Sequence, residues 1–114
     1  MRRRRLTDAE QWVRSQLECD FQRSVVEAAE ALGWTCWHDN DSRRNAAGLP
    51  DLICIHPVQK RTLWLELKRE TGRRRPAQIA FLTLLAMAGQ EAHMVRPSEM
   101  DEVIEILKGG NHAS

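Results

Sequence analysis

The sequence predicts a mixed α/β domain in the order α-β-β-β-α-β-α. Three observations lead there. Apolar residues recur at spacings of three and four in three separate segments. Between these lie four short segments that are aromatic, β-branched or alternating. Gly and Pro fall at the joins between segments, or at the first turn of a helix, and not inside them.

Thr7-Asp8-Ala9-Glu10 fits the Ser/Thr-x-x-Glu capping box, so a helix is expected to start at Thr7. Ser15-Gln16-Leu17-Glu18 fits it again, which leaves open one long helix or two. Residues 1–17 read as a basic arm with a short helix. Phe21, Val25, Ala28, Ala29 and Leu32 then form one apolar stripe, closed by Gly33. Trp34 to His38 is strand-like. Asp39 to Gly48 is a polar loop, long enough for functional use. Asp51 to His56 is a short apolar strand, and residues 57–60 are a turn. Arg61 to Arg69 is a third strand, with Leu63, Leu65 and Leu67 on one face and Trp64, Glu66 and Lys68 on the other. Thr71 to Arg75 is a basic loop. Pro76 suits the first turn of a helix running to about Ala88, with Ile79, Leu82, Leu85 and Ala86 inward. Gly89 ends it. Ala92 to Arg96 is a fourth strand, reached by a crossover expected to be right-handed. Ser98 is placed to cap a last helix carrying Met100, Val103, Ile104 and Leu107. Residues 109–114 read as a flexible tail.

A chain of 114 residues suits one domain around one core. With 42% apolar and 29% charged residues it has an ordinary soluble composition. No apolar run approaches the ~18–20 residues of a membrane span. No hydrophobic stretch follows the basic N-terminus, so a secretory signal is not expected and the location reads as cytoplasmic. Cys19, Cys36 and Cys54 have neither disulfide-framework nor zinc spacing and read as reduced, mostly buried thiols.

The net charge of +1 makes a weak overall field. The distribution says more, because arginine clusters at residues 2–5, at Arg43 and Arg44, and at Arg73, Arg74 and Arg75. Such clusters are either solvated loops or contacts to a polyanion, and arginine matches phosphate bidentately. The four histidines lack metal-ligand spacing. His38 stands apart because it precedes the long loop and is placed to line a groove. Trp64 could stack on a base or pack against a helix, and Trp12, Trp34 and Trp37 read as core or interface residues.

The chemistry concentrates at Pro50-Asp51 and Glu66-Leu67-Lys68. Strand alternation puts Glu66 and Lys68 on one face. Two carboxylates converging on one point favour a hard divalent cation such as magnesium. Such an ion can activate a water and offset charge on a phosphoryl oxygen, and Lys68 could orient that water. Taken alone, Glu-x-Lys is common and reads first as an ion pair of Lys68 with Glu66 or Asp51. The joint pattern of Gly-x-Pro-Asp opening one strand and Glu-x-Lys closing the next is far more specific.

That pattern resembles the PD-(D/E)xK nuclease superfamily and, within it, the VRR-NUC domain. The resemblance spans roughly Glu18 to Leu107, so residues 18–108 would form the nuclease domain. It rests on Glu18 opening a helix, Pro50-Asp51, Glu66-Leu67-Lys68, Gln78 early in the next helix, Ala88-Gly89 at its close, and Val95-Arg96-Pro97-Ser98. It implies a restriction-endonuclease-like core with a mixed central sheet. It implies Mg2+, with Mn2+ able to substitute, bound by Asp51, Glu66 and the Leu67 carbonyl, with Glu18 in or near the shell. Lys68 would be the catalytic lysine, Gln78 would lie beside it, and no organic cofactor is expected. The chain departs from the pattern at Arg75-Pro76-Ala77-Gln78, where a serine-like cap is expected, and Arg75 is placed to meet a phosphate instead. The implied activity is hydrolysis of DNA phosphodiester bonds, on branched or structured DNA such as junctions, by a homodimer of phage or bacterial origin. The alternatives are a non-catalytic DNA-binding accessory module of a replication, repair or packaging complex, and a structural ion-pair cluster in another enzyme.

Overall fold

The computed structural model of the protein describes residues 7–38, 49–70 and 75–109, apart from the side chains of residues 14–16 and 18. Thr7 fixes the start of the first helix. Its hydroxyl accepts the Glu10 N–H at 3.1 Å, and the Glu10 carboxylate accepts the Thr7 N–H at 2.8 Å, a reciprocal capping box. The helix α1 then spans Asp8–Ala31 unbroken, so one helix forms and not two.

Gly33 ends it at φ 95°, with the Gly33 N–H on the Glu30 carbonyl and the Trp34 N–H on the Ala29 carbonyl. That is a Schellman close. A Cβ on Gly33 would meet His56 Nε2 at 2.8 Å. The His56 ring cannot retreat cheaply, because Nε2 donates to the Leu32 carbonyl and Nδ1 accepts the Gln59 N–H, both at 3.0 Å. Gly33→Ala therefore combines a left-handed backbone with a clash. It is expected to cost about 2–4 kcal/mol, read as a lower urea midpoint with an unchanged slope.

The strands are β1 (Thr35–His38), β2 (Leu52–His56), β3 (Arg61–Leu67) and β4 (Glu91–Val95). They form one sheet in the order β1-β2-β3-β4, with β1–β2 and β2–β3 antiparallel and β3–β4 parallel. Helix α2 (Pro76–Met87) connects β3 to β4, and a 3-10 turn (Pro97–Glu99) leads into α3 (Met100–Lys108). This is the expected mixed sheet with flanking helices.

The core lies on one face of the sheet. Leu52, Cys54, Leu63, Leu65 and Val95 pack against Phe21, Val25 and Ala29 of α1 and Val103 and Leu107 of α3. Trp34 seals one end, its Nε1–H on the Leu107 carbonyl at 3.0 Å. Arg61 stacks over the Trp34 ring at 5.1 Å and pairs bidentately with Glu91.

Three expectations fail here. Helix α2 has no buried residue: Ile79 and Ala86 are exposed, and only Leu82 and Leu85 of the four expected inward are partly covered. The reason is that α1 and α3 already fill the core, and α2 leans mainly on β4. Ser98 does not cap α3. It lies inside the 3-10 turn, and its hydroxyl binds the Glu70 carboxylate at 3.0 Å, leaving Glu99 as the N-cap. Cys19 is exposed on α1, while Cys36 is half-buried and Cys54 buried. Trp12 and Trp37 are also exposed, at 64% and 54%, so neither is a core residue. No helix among the described residues is long and apolar enough to cross a membrane.

Candidate active site

The register of β2 on β3 builds the site. Leu52 pairs with Leu65, so Asp51, one residue before β2, comes level with Glu66 near the end of β3. Asp51 is locked there because its Oδ2 accepts the Leu67 N–H at 2.9 Å. The buried Pro50 rigidifies the approach to it. The two carboxylates thus stand together on the sheet face opposite the α1–α3 core.

Glu66 is only 2% exposed, and its Oε2 has no hydrogen-bond partner among the described residues. Burial pushes its carboxyl up to about 9, reinforced by the hydrogen bond with Asp51 and by the Asp51 charge. Lys68 and Arg75 oppose this rise, so both positive charges reach Glu66. A buried acid with an orphan oxygen beside a second carboxylate is an arrangement that a hard cation would relieve. Among the described residues no three Asp, Glu, His or Cys side chains converge as a metal cluster. Among the described side chains, Asp51 and Glu66 are the two carboxylates brought together here, beside the Leu67 backbone at the strand end.

Lys68 continues the parallel ladder, its N–H on the Val95 carbonyl at 2.9 Å, and its side chain is half-buried. Gln78 lies in the first turn of α2, where its Oε1 accepts the Arg75 N–H at 3.3 Å. It thereby closes the helix start that lacks a serine. Arg75 is exposed. Glu18 does not open a helix, because the capping box at Thr7 starts α1 at Asp8 and leaves Glu18 inside it; its side chain lies outside the described ones. Arg43, Arg44, Arg73 and Arg74 lie outside the described residues.

One feature escapes a local reading of the sequence. Glu70 takes both the N–H and the hydroxyl of Ser98, and Arg96 donates to the carbonyls of Arg69 and Glu70. This clamp fixes the chain just beyond Lys68 to the passage between β4 and α3. No spacing rule links residues 69–70 to 96–98. His38, expected to line a groove, does line a cleft between α1 and the end of β1, with Arg23, Glu27 and Glu30. His38 pairs with Leu52, next to Asp51, and its Nδ1 is buried with no partner among the described residues. Its place before the long loop was the available signal.

A mixed four-stranded sheet with flanking helices and two carboxylates and a lysine at the end of its central strands defines a nuclease-type α/β domain. The chain belongs to the VRR-NUC domain family, whose model matches residues 4–98. A solved VRR-NUC domain is 27% identical, with a TM-score of 0.65, over 77% of this chain and 94% of that one. The Holliday junction resolvase Hjc of the archaeal hyperthermophile Archaeoglobus fulgidus is 18% identical, with a TM-score of 0.51, over 68% of this chain and 67% of its own. At that identity the likeness is one of fold. No curated protein matches the chain.

Proposed function

We propose that the protein is a metal-dependent nuclease that hydrolyses DNA phosphodiester bonds, acting on branched or structured DNA. The observation that carries this reading is the buried Glu66 carboxyl, its Oε2 without a hydrogen-bond partner among the described residues, set against Asp51 within reach of the Lys68 charge. Asp51, Glu66 and the Leu67 carbonyl would hold Mg2+ or Mn2+, and Glu18 of α1 would approach the shell past the strand ends. Bound there, the ion supplies Lewis acidity toward a phosphoryl oxygen and a water of lowered pKa. Lys68 would orient the attacking water and offset developing negative charge. Gln78 supports it from the first turn of α2. Arg75 meets a substrate phosphate, joined by Arg43, Arg44, Arg73 and Arg74. A non-catalytic DNA-binding module would account for the arginines but not for a carboxyl buried beside Asp51.

The branched-DNA preference rests on the fold shared with a Holliday junction resolvase. The deciding experiment is a panel of linear, nicked, flap and four-way DNA, each with magnesium and with manganese. Cleavage fastest on the branched substrates is the expected result. Intact substrate throughout would rule out the nuclease reading, and equal rates on all four would remove the branched preference alone.

Two scissile strands call for two active sites, and a symmetric homodimer supplies them. Surface apolarity supports this. Trp37 and Ile55 are 54% and 50% exposed on the sheet face away from the core, and Ile79, Leu84 and Met87 are exposed on α2. Helix α2 carries no charge, so a second copy would meet no like-charge repulsion along it. Ile55→Glu and Leu84→Glu are expected to convert a dimer to a monomer in sedimentation equilibrium. A wild-type chain that is monomeric at tens of micromolar would exclude the dimer.

A further inference from the structure

Cys36 and Cys54, distant in sequence, are Cα partners in the β1–β2 ladder, and their sulfurs stand 3.1 Å apart. Directly opposed residues of an antiparallel pair have Cα atoms about 4.5–5.5 Å apart. That range falls within the about 4.4–6.8 Å that a disulfide spans. The sulfurs need to close by only about 1 Å to reach a bond of about 2.05 Å, so the backbone already has the required geometry.

The two thiols differ in access. Cys54 is fully buried on an inner strand, while Cys36 is half-buried on the edge strand β1. They differ in chemistry too. The contact with Cys54 holds the Cys36 thiol below its ordinary range, with burial and the nearby Glu30 acting against it. The same contact, together with burial, pushes Cys54 up. Cys36 is thus the better nucleophile. The nuclease site uses neither sulfur. We propose that Cys36 and Cys54 form a reversible dithiol–disulfide couple, oxidised by small hydroperoxides.

The Cys36 thiolate attacks the peroxide oxygen, the O–O bond breaks, and hydroxide leaves as Cys36 becomes a sulfenic acid. The Cys54 sulfur then attacks Cys36 Sγ and its proton joins the departing hydroxyl as water. Two thiols are oxidised by two electrons and one peroxide is reduced. The product staples the edge strand to its neighbour in a register the fold already holds, so the oxidised protein keeps its sheet and resists unfolding more strongly.

The test uses the full chain with Cys19→Ser, which removes the exposed thiol. After hydrogen peroxide treatment, denaturation and alkylation, the expected product is lighter by two hydrogens, contains a Cys36–Cys54 linked peptide and takes up no alkylating agent. Its thermal midpoint rises, and dithiothreitol restores both thiols. With Cys54→Ser added, dimedone is expected to trap a sulfenic acid on Cys36. With Cys36→Ser added instead, Cys54 stays reduced under the same treatment. The couple is overturned if both thiols still alkylate after peroxide, or if either proceeds to sulfinic acid with no linked peptide.

Discussion

Glu66→Ala and Lys68→Ala are each expected to lower DNA cleavage by at least about 10^2–10^3-fold, the range seen when one preorganised charge-stabilising group is removed. The two losses should have different origins. In the proposed site Glu66 is one of the carboxylates that hold the cation, so its removal is expected to abolish cation binding. Lys68 adds charge near that point, so its removal should leave cation binding in place and slow the chemical step. Calorimetric titration with magnesium separates them: Lys68→Ala retains the binding heat and Glu66→Ala does not. Neither change should unfold the domain. Glu66 lies on the face away from the α1–α3 core, and its truncation relieves a buried polar atom that already lacks a partner. If both variants cut as fast as the parent chain, the catalytic assignment fails.

Without metal, the stability of the protein should depend on pH through Glu66. Its folded-state pKa of about 9 lies above its ordinary 4.5, so the native state binds more protons than the unfolded chain between those values. Stability from this group is complete below the ordinary value and is lost as pH rises through about 9. The thermal midpoint should therefore fall between pH 6 and 8.5. A cation favours the ionised form, so saturating magnesium should displace the proton and restore the midpoint. At a hundredfold excess over Kd the gain is about 2.7 kcal/mol, or roughly 10–20 °C for a domain of this size. Glu66→Gln should show a flatter profile and little response to magnesium. A parent chain whose metal-free midpoint ignores pH, or matches that of Glu66→Gln, would contradict this account.

The elements that a local pattern specifies were legible in the sequence. Thr7 and Glu10 announced the start of α1, Gly33 its end, and the alternation of Leu63, Leu65, Trp64 and Glu66 the two faces of β3. The opposition of Asp51 to Glu66 also followed, because a short turn between two strands leaves few registers. Burial on α2 was not legible. Pro76 to Met87 is apolar on every side, so no stripe marks an inner face, and competition from α1 and α3 for the core decides the matter. Ser98 was misassigned as a cap because a serine before a helix is a good cap in isolation, while here Glu70 reaches across and engages it. The adjacency of Cys36 and Cys54 depends on strand register over an intervening loop. The protonation of Glu66 depends on burial, which spacing does not encode.

The hydrogen bond from the Leu67 amide to Asp51 Oδ2 has a practical consequence. That amide proton belongs to the backbone, yet it touches a carboxylate of the candidate metal site. Its chemical shift and its exchange with deuterium form a built-in gauge of the site. One nuclear magnetic resonance line would follow proton loss from Glu66 or arrival of a cation, in the unaltered protein, with no label on any reacting side chain.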